Sequence, residues 1–244
     1  MMDISWLSRT TLLVGEASVR QLNNVHVMIV GLGGVGSYAA EFIARSGVGK
    51  MTIIDGDVVD PTNRNRQLPA LATNHGVSKA LIMQERLLAI NPELALTVVQ
   101  QFINPEMVAA LLTTKPDYII DAIDSITPKI TFIKMAFESG LPIVSSMGAG
   151  GKMDPTQLKV ADISKTYNCH FAQQVRKTLK QHNIYKGVKA VFSPEIPAPK
   201  SLIITDGTNY KKSAYGTISY MPATFGAVTA SVVIRDLING TLTQ

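Results

Sequence analysis

Residues 25–36 read VHVMIVGLGGVG, an apolar run that stops at a cluster of glycines. A run this short and continuous suits a strand buried on both faces. The glycines allow a tight turn and a close approach of backbone to a ligand. SYAAEFIARSGV follows, with apolar residues at helical spacing and Gly47 to stop it. Strand, glycine turn and helix in this order open a βαβ unit, with a nucleotide phosphate expected at the helix N-terminus.

The same alternation continues downstream. MTII (51–54), LTVVQQFI (96–103), DYII (117–120) and LPIVSS (141–146) read as strands. SKALIMQERLLAIN (78–91), NPEMVAALLTT (104–114) and TPKITFIKMAFESG (127–140) read as helices. Ser78 and Asn104 are the expected caps of the first two. The pattern predicts an α/β, Rossmann-like, doubly wound fold: a mainly parallel sheet with helices on both faces. Ligands of such sheets bind beyond the carboxyl ends of the strands, where Gly31, Asp55, Asp121 and Ser145 all fall.

After residue 150 the pattern changes into an elaborated C-terminal half. LKVAD, KAVFS and YGTIS are strand candidates around a basic helical stretch, FAQQVRKTLKQH (171–182). Residues 194–216 are rich in proline, lysine and turn formers and read as a mobile loop. The most apolar late segment, Ala223 to Ile234, is too short and mixed for a membrane span and reads as part of a last buried helix from about Ala223 to Ile238. The expectation is one domain over 1–244: a helical arm (1–24), a nucleotide-binding core (25–150) and an extension (151–244). Hydrophobic residues at 46% and charged residues at 17% supply a sizeable core and speak against disorder. No basic segment leads into a long apolar run at the N-terminus, so a cytoplasmic location is expected and no membrane partner. A single cysteine, Cys169, excludes an internal disulfide and any multi-cysteine zinc site.

The glycine loop alone does not distinguish NAD, FAD and ATP. Asp55 ends the second strand at the spacing of a ribose-binding acid, with Asp57 two residues on. The next stretch, PTNRNRQ, places Asn63, Arg66 and Gln67 near the same rim, and Lys79 opens the following helix. Converging cations suit a triphosphate, whose charge grows at the transferred phosphorus, while hydride transfer needs no such cluster. Arg64 reads as solvated. Asp124, in DAIDS, is a candidate for the magnesium that accompanies ATP, and Asp121 for a loop brace; turn formation is the competing role for both. His26, His75, His170 and His182 form no metal spacing. The net charge of +5 is compatible with a polyanionic partner without requiring one. Arg176, Lys177, Lys180, Lys186, Lys189, Lys200, Lys211 and Lys212 are the candidates for phosphate contacts.

GLGGVGS, the DGDVV…TNRNRQ block, GVSK and DAIDS together resemble, in order, the adenylation core of the ubiquitin-activating superfamily. SMGAGGKMDPTQLKVADISKT (146–166) and VFSPE (191–195) resemble more closely the tRNA threonylcarbamoyladenosine dehydratases within it. The resemblance implies an enzyme that uses ATP to activate the threonyl carboxylate on adenosine 37 of tRNA, so that the side chain cyclises with net loss of water. It implies that Gly31, Gly33, Gly34, Gly36, Asp55 and Asp57 line the nucleotide. Asn63, Arg66, Gln67 and Lys79 would hold the phosphates, and Asp124 the Mg2+. The opening SRTTLLVGE resembles the family's first helix, which implies a homodimer with Arg9 acting on the partner's ATP. The catalytic set is then Arg66, Lys79, Arg9 and Asp124. A monovalent-cation requirement and a sulfur-transfer partner stay open. Cys169 has two readings, a reactive thiol or a small apolar residue, and the dehydration needs no thiol. The competing functions are an adenylyltransferase for a small sulfur-carrier protein, a nicotinamide oxidoreductase and a non-catalytic nucleotide- or tRNA-binding module.

Overall fold

The computed structural model describes residues 4–204 and 213–239. After a single 3-10 turn, the chain forms α1 (Ser8–Val14) and α2 (Glu16–Asn24), separated by Gly15 in the left-handed region at φ 82°. The core follows as β1 (His26–Val30), α3 (Gly36–Arg45), β2 (Lys50–Ile54), α4 (Lys79–Ile90), β3 (Ala95–Val99), α5 (Pro105–Leu112), β4 (Tyr118–Asp121), α6 (Ile126–Glu138) and β5 (Ile143–Ser146). The C-terminal half adds β6 (Lys159–Asp162), α7 (His170–Gln181), β7 (Lys189–Phe192), β8 (Leu202–Ile204), β9 (Ser213–Tyr215) and α8 (Tyr220–Asn239).

Seven strands form one sheet in the order β3-β2-β1-β4-β5-β7-β6. All neighbours are parallel except the β6–β7 pair. The chain therefore reverses direction across the sheet between β3 and β4, and the crevice beside β1 is where such sheets take ligands. Side chains alternate between the faces, as strand geometry requires. Val27, Ile29, Met51, Ile53 and Ile120 pack under α3, α4 and α8, while Met28, Val30, Ile54 and Ile119 pack under α5, α6 and α7. The doubly wound α/β architecture is the one the alternating pattern predicts.

Several local expectations need correction. Ser78 occupies the N-cap position of α4 but its side chain makes no capping bond; it instead forms a backbone bridge with Val58. Asn104 does cap α5, accepting from Met107 N at 2.8 Å. YGTIS is not a strand: only Tyr215 belongs to one, and 216–219 carry no regular structure. The stretch read as a loop contains β8 and β9, an antiparallel ribbon paired Leu202↔Tyr215 to Ile204↔Ser213, whose short arms carry too little alternation to be legible. Lys211 and Lys212 lie outside the described residues.

The last helix starts three residues earlier than expected. Pro222 sits in its first turn, where the missing N–H has no intrahelical acceptor. At 20 residues α8 is, by length and composition alone, long and apolar enough to cross a membrane, being longer than the apolar segment Ala223 to Ile234 within it. Here its Met221, Phe225, Thr229, Ala230 and Val233 are buried, against α3 and the sheet. Gly226 marks the crossing: a Cβ there would meet Val35 O at 2.6 Å and Tyr38 Cβ at 2.8 Å. Gly226→Ala should force α3 and α8 apart and cost about 1–3 kcal/mol by overpacking. A denaturant titration checks this, and an unchanged midpoint would contradict the close approach.

Candidate active site

The glycine loop links β1 to α3. Gly31 adopts φ 89°, a region open to glycine, and a Cβ there would lie 2.8 Å from Ala122 O. A Cβ on Gly36 would lie 1.7 Å from Gly31 O, so only glycine lets the first turn of α3 close onto the end of β1. Gly34 is shut in by Pro222 at 2.8 Å. Gly33 differs: nothing but the Gln67 side chain comes within 4 Å of its Cβ position, at 3.8 Å. Space at the loop is thus kept beside Gly33. The Oε1 of Gln67 is buried and has no hydrogen-bond partner among the described residues. A buried acceptor left unsatisfied costs about 1–3 kcal/mol, and a donor from a ligand would relieve it.

Asp55 follows β2 and closes the loop from the other side. Its Oδ2 accepts from Leu32 N at 2.5 Å and its Oδ1 from Asp57 N at 2.7 Å. Burial raises the Asp55 carboxyl above its usual range, against the opposing pull of Lys79. Asn63 is buried in a capping box around the turn Pro61–Asn63, taking Asp60 N at 3.2 Å. Arg66 donates to Thr62 O at 3.0 Å and to Asn65 Oδ1 at 2.9 Å. Burial lowers its pKa, while Asp124 and Asp60 favour its charge. Lys79 is buried and ion-paired to the more exposed Asp57, 3.0 Å away. Asp124 is exposed on the rim. Among the described residues no three acidic, histidine or cysteine side chains cluster as a metal site. A cation beside Asp124 would therefore be completed by phosphate oxygens and water, the habit of Mg2+.

Asp121 is a brace. Its carboxylate accepts from Ser145 Oγ at 2.6 Å and Ile123 N at 3.0 Å, and pairs with Lys129 at 2.7 Å. Lys129 is fully buried, donates to Ile123 O at 2.9 Å and faces the ring of Phe171 at 5.6 Å. Burial lowers its pKa, and Asp121 counters that. Sequence reasoning passed Lys129 over. The signal was there: with Ile126, Ile130 and Ile133, it lies on the core-facing stripe of α6.

A cleft of about 680 Å³ adjoins this rim, between the 63–67 turn and the C-terminal half. Asn65 joins the two, taking Arg66 on its Oδ1 and donating Nδ2 to Thr217 O at 2.9 Å. Lys152 and Glu195 line the cleft, and sequence reasoning singled out neither.

Other candidates fall elsewhere. Arg9, on α1, is exposed and makes no hydrogen bond or ion pair among the described residues. Cys169 is buried under α7 in the apolar cluster, which supports its packing role. Arg176 is tied to Thr166, and Lys189 to Asp236, so neither is a free phosphate contact. Lys177, Lys180, Lys186 and Lys200 are exposed. His75 and Arg64 are exposed as well.

The sheet topology and the glycine loop after β1 define a nucleotide-binding α/β protein. The chain belongs to the ThiF family, whose model matches residues 7–243. It is 38% identical over 257 residues to the tRNA threonylcarbamoyladenosine dehydratase of Escherichia coli K12, covering 96% of this chain and 94% of that protein. The Bacillus subtilis protein of the same name is also 38% identical, over 95% and 94% of the two chains. A crystal structure of the E. coli enzyme in complex with ATP superposes at TM-score 0.89, with 38% identity and 99% and 97% coverage, and one in complex with AMP at 0.90.

The Asp121–Lys129 pair carries a direct expectation. Lys129→Ala strands a buried carboxylate and should cost about 3–5 kcal/mol in stability, whereas Lys129→Met with Asp121→Leu should cost less. Equal losses in denaturant titrations would contradict a pair held together by mutual charge compensation.

Proposed function

We infer that the protein is an ATP-dependent tRNA threonylcarbamoyladenosine dehydratase. The observation that carries this reading is the extent of the likeness. It runs at 38% identity over nearly the whole chain, including the C-terminal half that walls the cleft beside the phosphate rim. An adenylyltransferase for a sulfur-carrier protein would use the same nucleotide rim. The single buried cysteine leaves no cysteine set for the zinc site common in those relatives.

The chemistry suits these residues. A carboxylate resists nucleophilic attack because attack adds charge to an anion. One carboxylate oxygen attacks the α-phosphorus of ATP, pyrophosphate leaves, and the acyl-adenylate has AMP as a good leaving group. An atom of the neighbouring carbamoyl group then attacks the acyl carbon and expels AMP, closing the ring. The nucleophile belongs to the substrate, so the protein contributes position and positive charge. Asp55 receives the ribose hydroxyls, and Gly31, Gly33, Gly34 and Gly36 bring backbone to the nucleotide. Asn63, Arg66, Gln67 and Lys79 hold the phosphates. On binding, Arg66 and Lys79 exchange Asn65 and Asp57 for phosphate oxygens. Asp124 would hold Mg2+, which would supply positive charge against the pyrophosphate.

Two observations support a homodimer with Arg9 acting in trans. Arg9 has no partner among the described residues, and α1 exposes Leu12 and Leu13 by 85% and 84%. An apolar helix surface of that kind suits contact with a second copy. Exposed Lys177, Lys180 and Lys186 on α7 and beyond are the residues available to tRNA phosphates.

The test is direct. The protein, ATP and Mg2+ are incubated with tRNA carrying threonylcarbamoyladenosine, and the digested nucleosides are weighed. A species lighter by one water, formed only with ATP, is expected; no conversion by folded, ATP-binding protein would overturn the reading. Arg66→Ala should slow conversion by about 100-fold or more while leaving the melting temperature unchanged. Arg9→Ala and Lys79→Ala should each be inactive alone. Mixed, they should recover up to about a quarter of wild-type activity, since half the dimers hold one complete site. No recovery on mixing would contradict action in trans.

A further inference from the structure

Three lysines are buried among the described residues. Lys79 pairs with Asp57 and Lys129 with Asp121. Lys152 is 4% exposed and has no carboxylate within ion-pairing distance among the described residues. Its one hydrogen bond found there goes to the backbone carbonyl of Glu195, which leaves two N–H groups unused. The Glu195 carboxylate is itself taken by Met153 N and Asp154 N, at 2.9 and 3.0 Å. A buried cation with no carboxylate in direct ion-pairing contact is costly, and a site that keeps one can take an anion.

The position of Lys152 says which anion. It lines the cleft beside the phosphate rim, among Met153, Ile196 and Ile218, and Asn65 is the wall shared with Arg66. That cleft is the space open to an acceptor next to the triphosphate. Any carboxylate activated there must approach the α-phosphate as an anion meeting an anion. Arg66 and Lys79 answer the charge of the nucleotide; nothing else buried in the cleft wall answers the charge of the acceptor.

We propose that Lys152 holds the threonyl carboxylate of the tRNA substrate in this cleft and presents it to ATP. The proposal rests on the dehydratase reading and adds the residue that binds the acceptor group. Burial lowers the pKa of Lys152, with Cys169 and Glu195 opposing; a bound carboxylate would hold the ammonium form in place. Lys200, exposed at the cleft mouth, is the entry-side cation.

Lys152→Met keeps the side-chain length and removes the charge. With the full-length protein and threonylcarbamoyladenosine-bearing tRNA, kcat/KM for tRNA should fall about 10- to 100-fold, the value of one charge-assisted bond. The Kd for ATP and the melting temperature should stay at wild-type values, and Lys152→Arg should recover part of the loss. Equal kcat/KM in Lys152→Met would overturn the proposal. A loss of ATP affinity in step with the loss of turnover would do the same, because it marks a general collapse of the site. A second measurement needs no variant. An anticodon stem-loop bearing the threonyl methyl ester should compete with tRNA at least about 10-fold more weakly than the free acid. Equal competition would sink carboxylate recognition. Wild-type protein that converts no tRNA at all would instead break the dehydratase reading.

Discussion

One contact sets the geometry of the whole rim: the first turn of α3 lies against the carbonyl of Gly31, with no room for even a methyl group on Gly36. That contact brings a helix N-terminus to the carboxyl end of the central strand. Asp55 locks it from the neighbouring strand through Leu32 N. The positive end of the α3 dipole therefore lies at the glycine loop. Gln67, from the turn that follows Asp55, comes nearest to the space beside Gly33, and Lys79 at the start of α4 pairs with Asp57.

Buried charge is handled in two ways. The Asp121–Lys129 pair is satisfied internally by Ser145, Ile123 N and Ile123 O, so it fixes the loop after β4 and stays out of the chemistry. Lys79 and Arg66 hold exchangeable partners, an Asp57 that is nearly half exposed and the side chain and backbone of their own turn. Such contacts are weak enough to give up to a phosphate. An active site that moves charge needs both kinds: a frame that does not reorganise and cations that do.

The sequence made the nucleotide half of the molecule legible and the acceptor half much less so. β1, β2 and β4 are each built on a short apolar run, and the glycines that follow β1 allow the tight turn and close approach that the site needs. Asp55 and Lys79 stand at positions fixed by those elements. The β8–β9 ribbon was missed because three-residue arms hold too little pattern, and the end of α8 nearest it because proline in a first turn reads as a break. Lys129 and Lys152 were missed for a different reason. A lysine is by default a solvent residue, and only tertiary packing buried these two. For Lys129 the helical stripe gave warning. Lys152 lies in a glycine-rich loop without period, and its hydrogen bond goes to Glu195, 43 residues away in sequence.

The proposed chemistry joins a substrate carboxylate to the α-phosphate of ATP at this rim. Labelling both carboxylate oxygens of the threonyl group with 18O, and weighing the nucleotide and phosphate products of a single turnover, tests that most directly. Activation by adenylation predicts that one label appears in AMP, with none in pyrophosphate. Label in inorganic phosphate beside ADP, or unlabelled AMP with cyclised product, would contradict it.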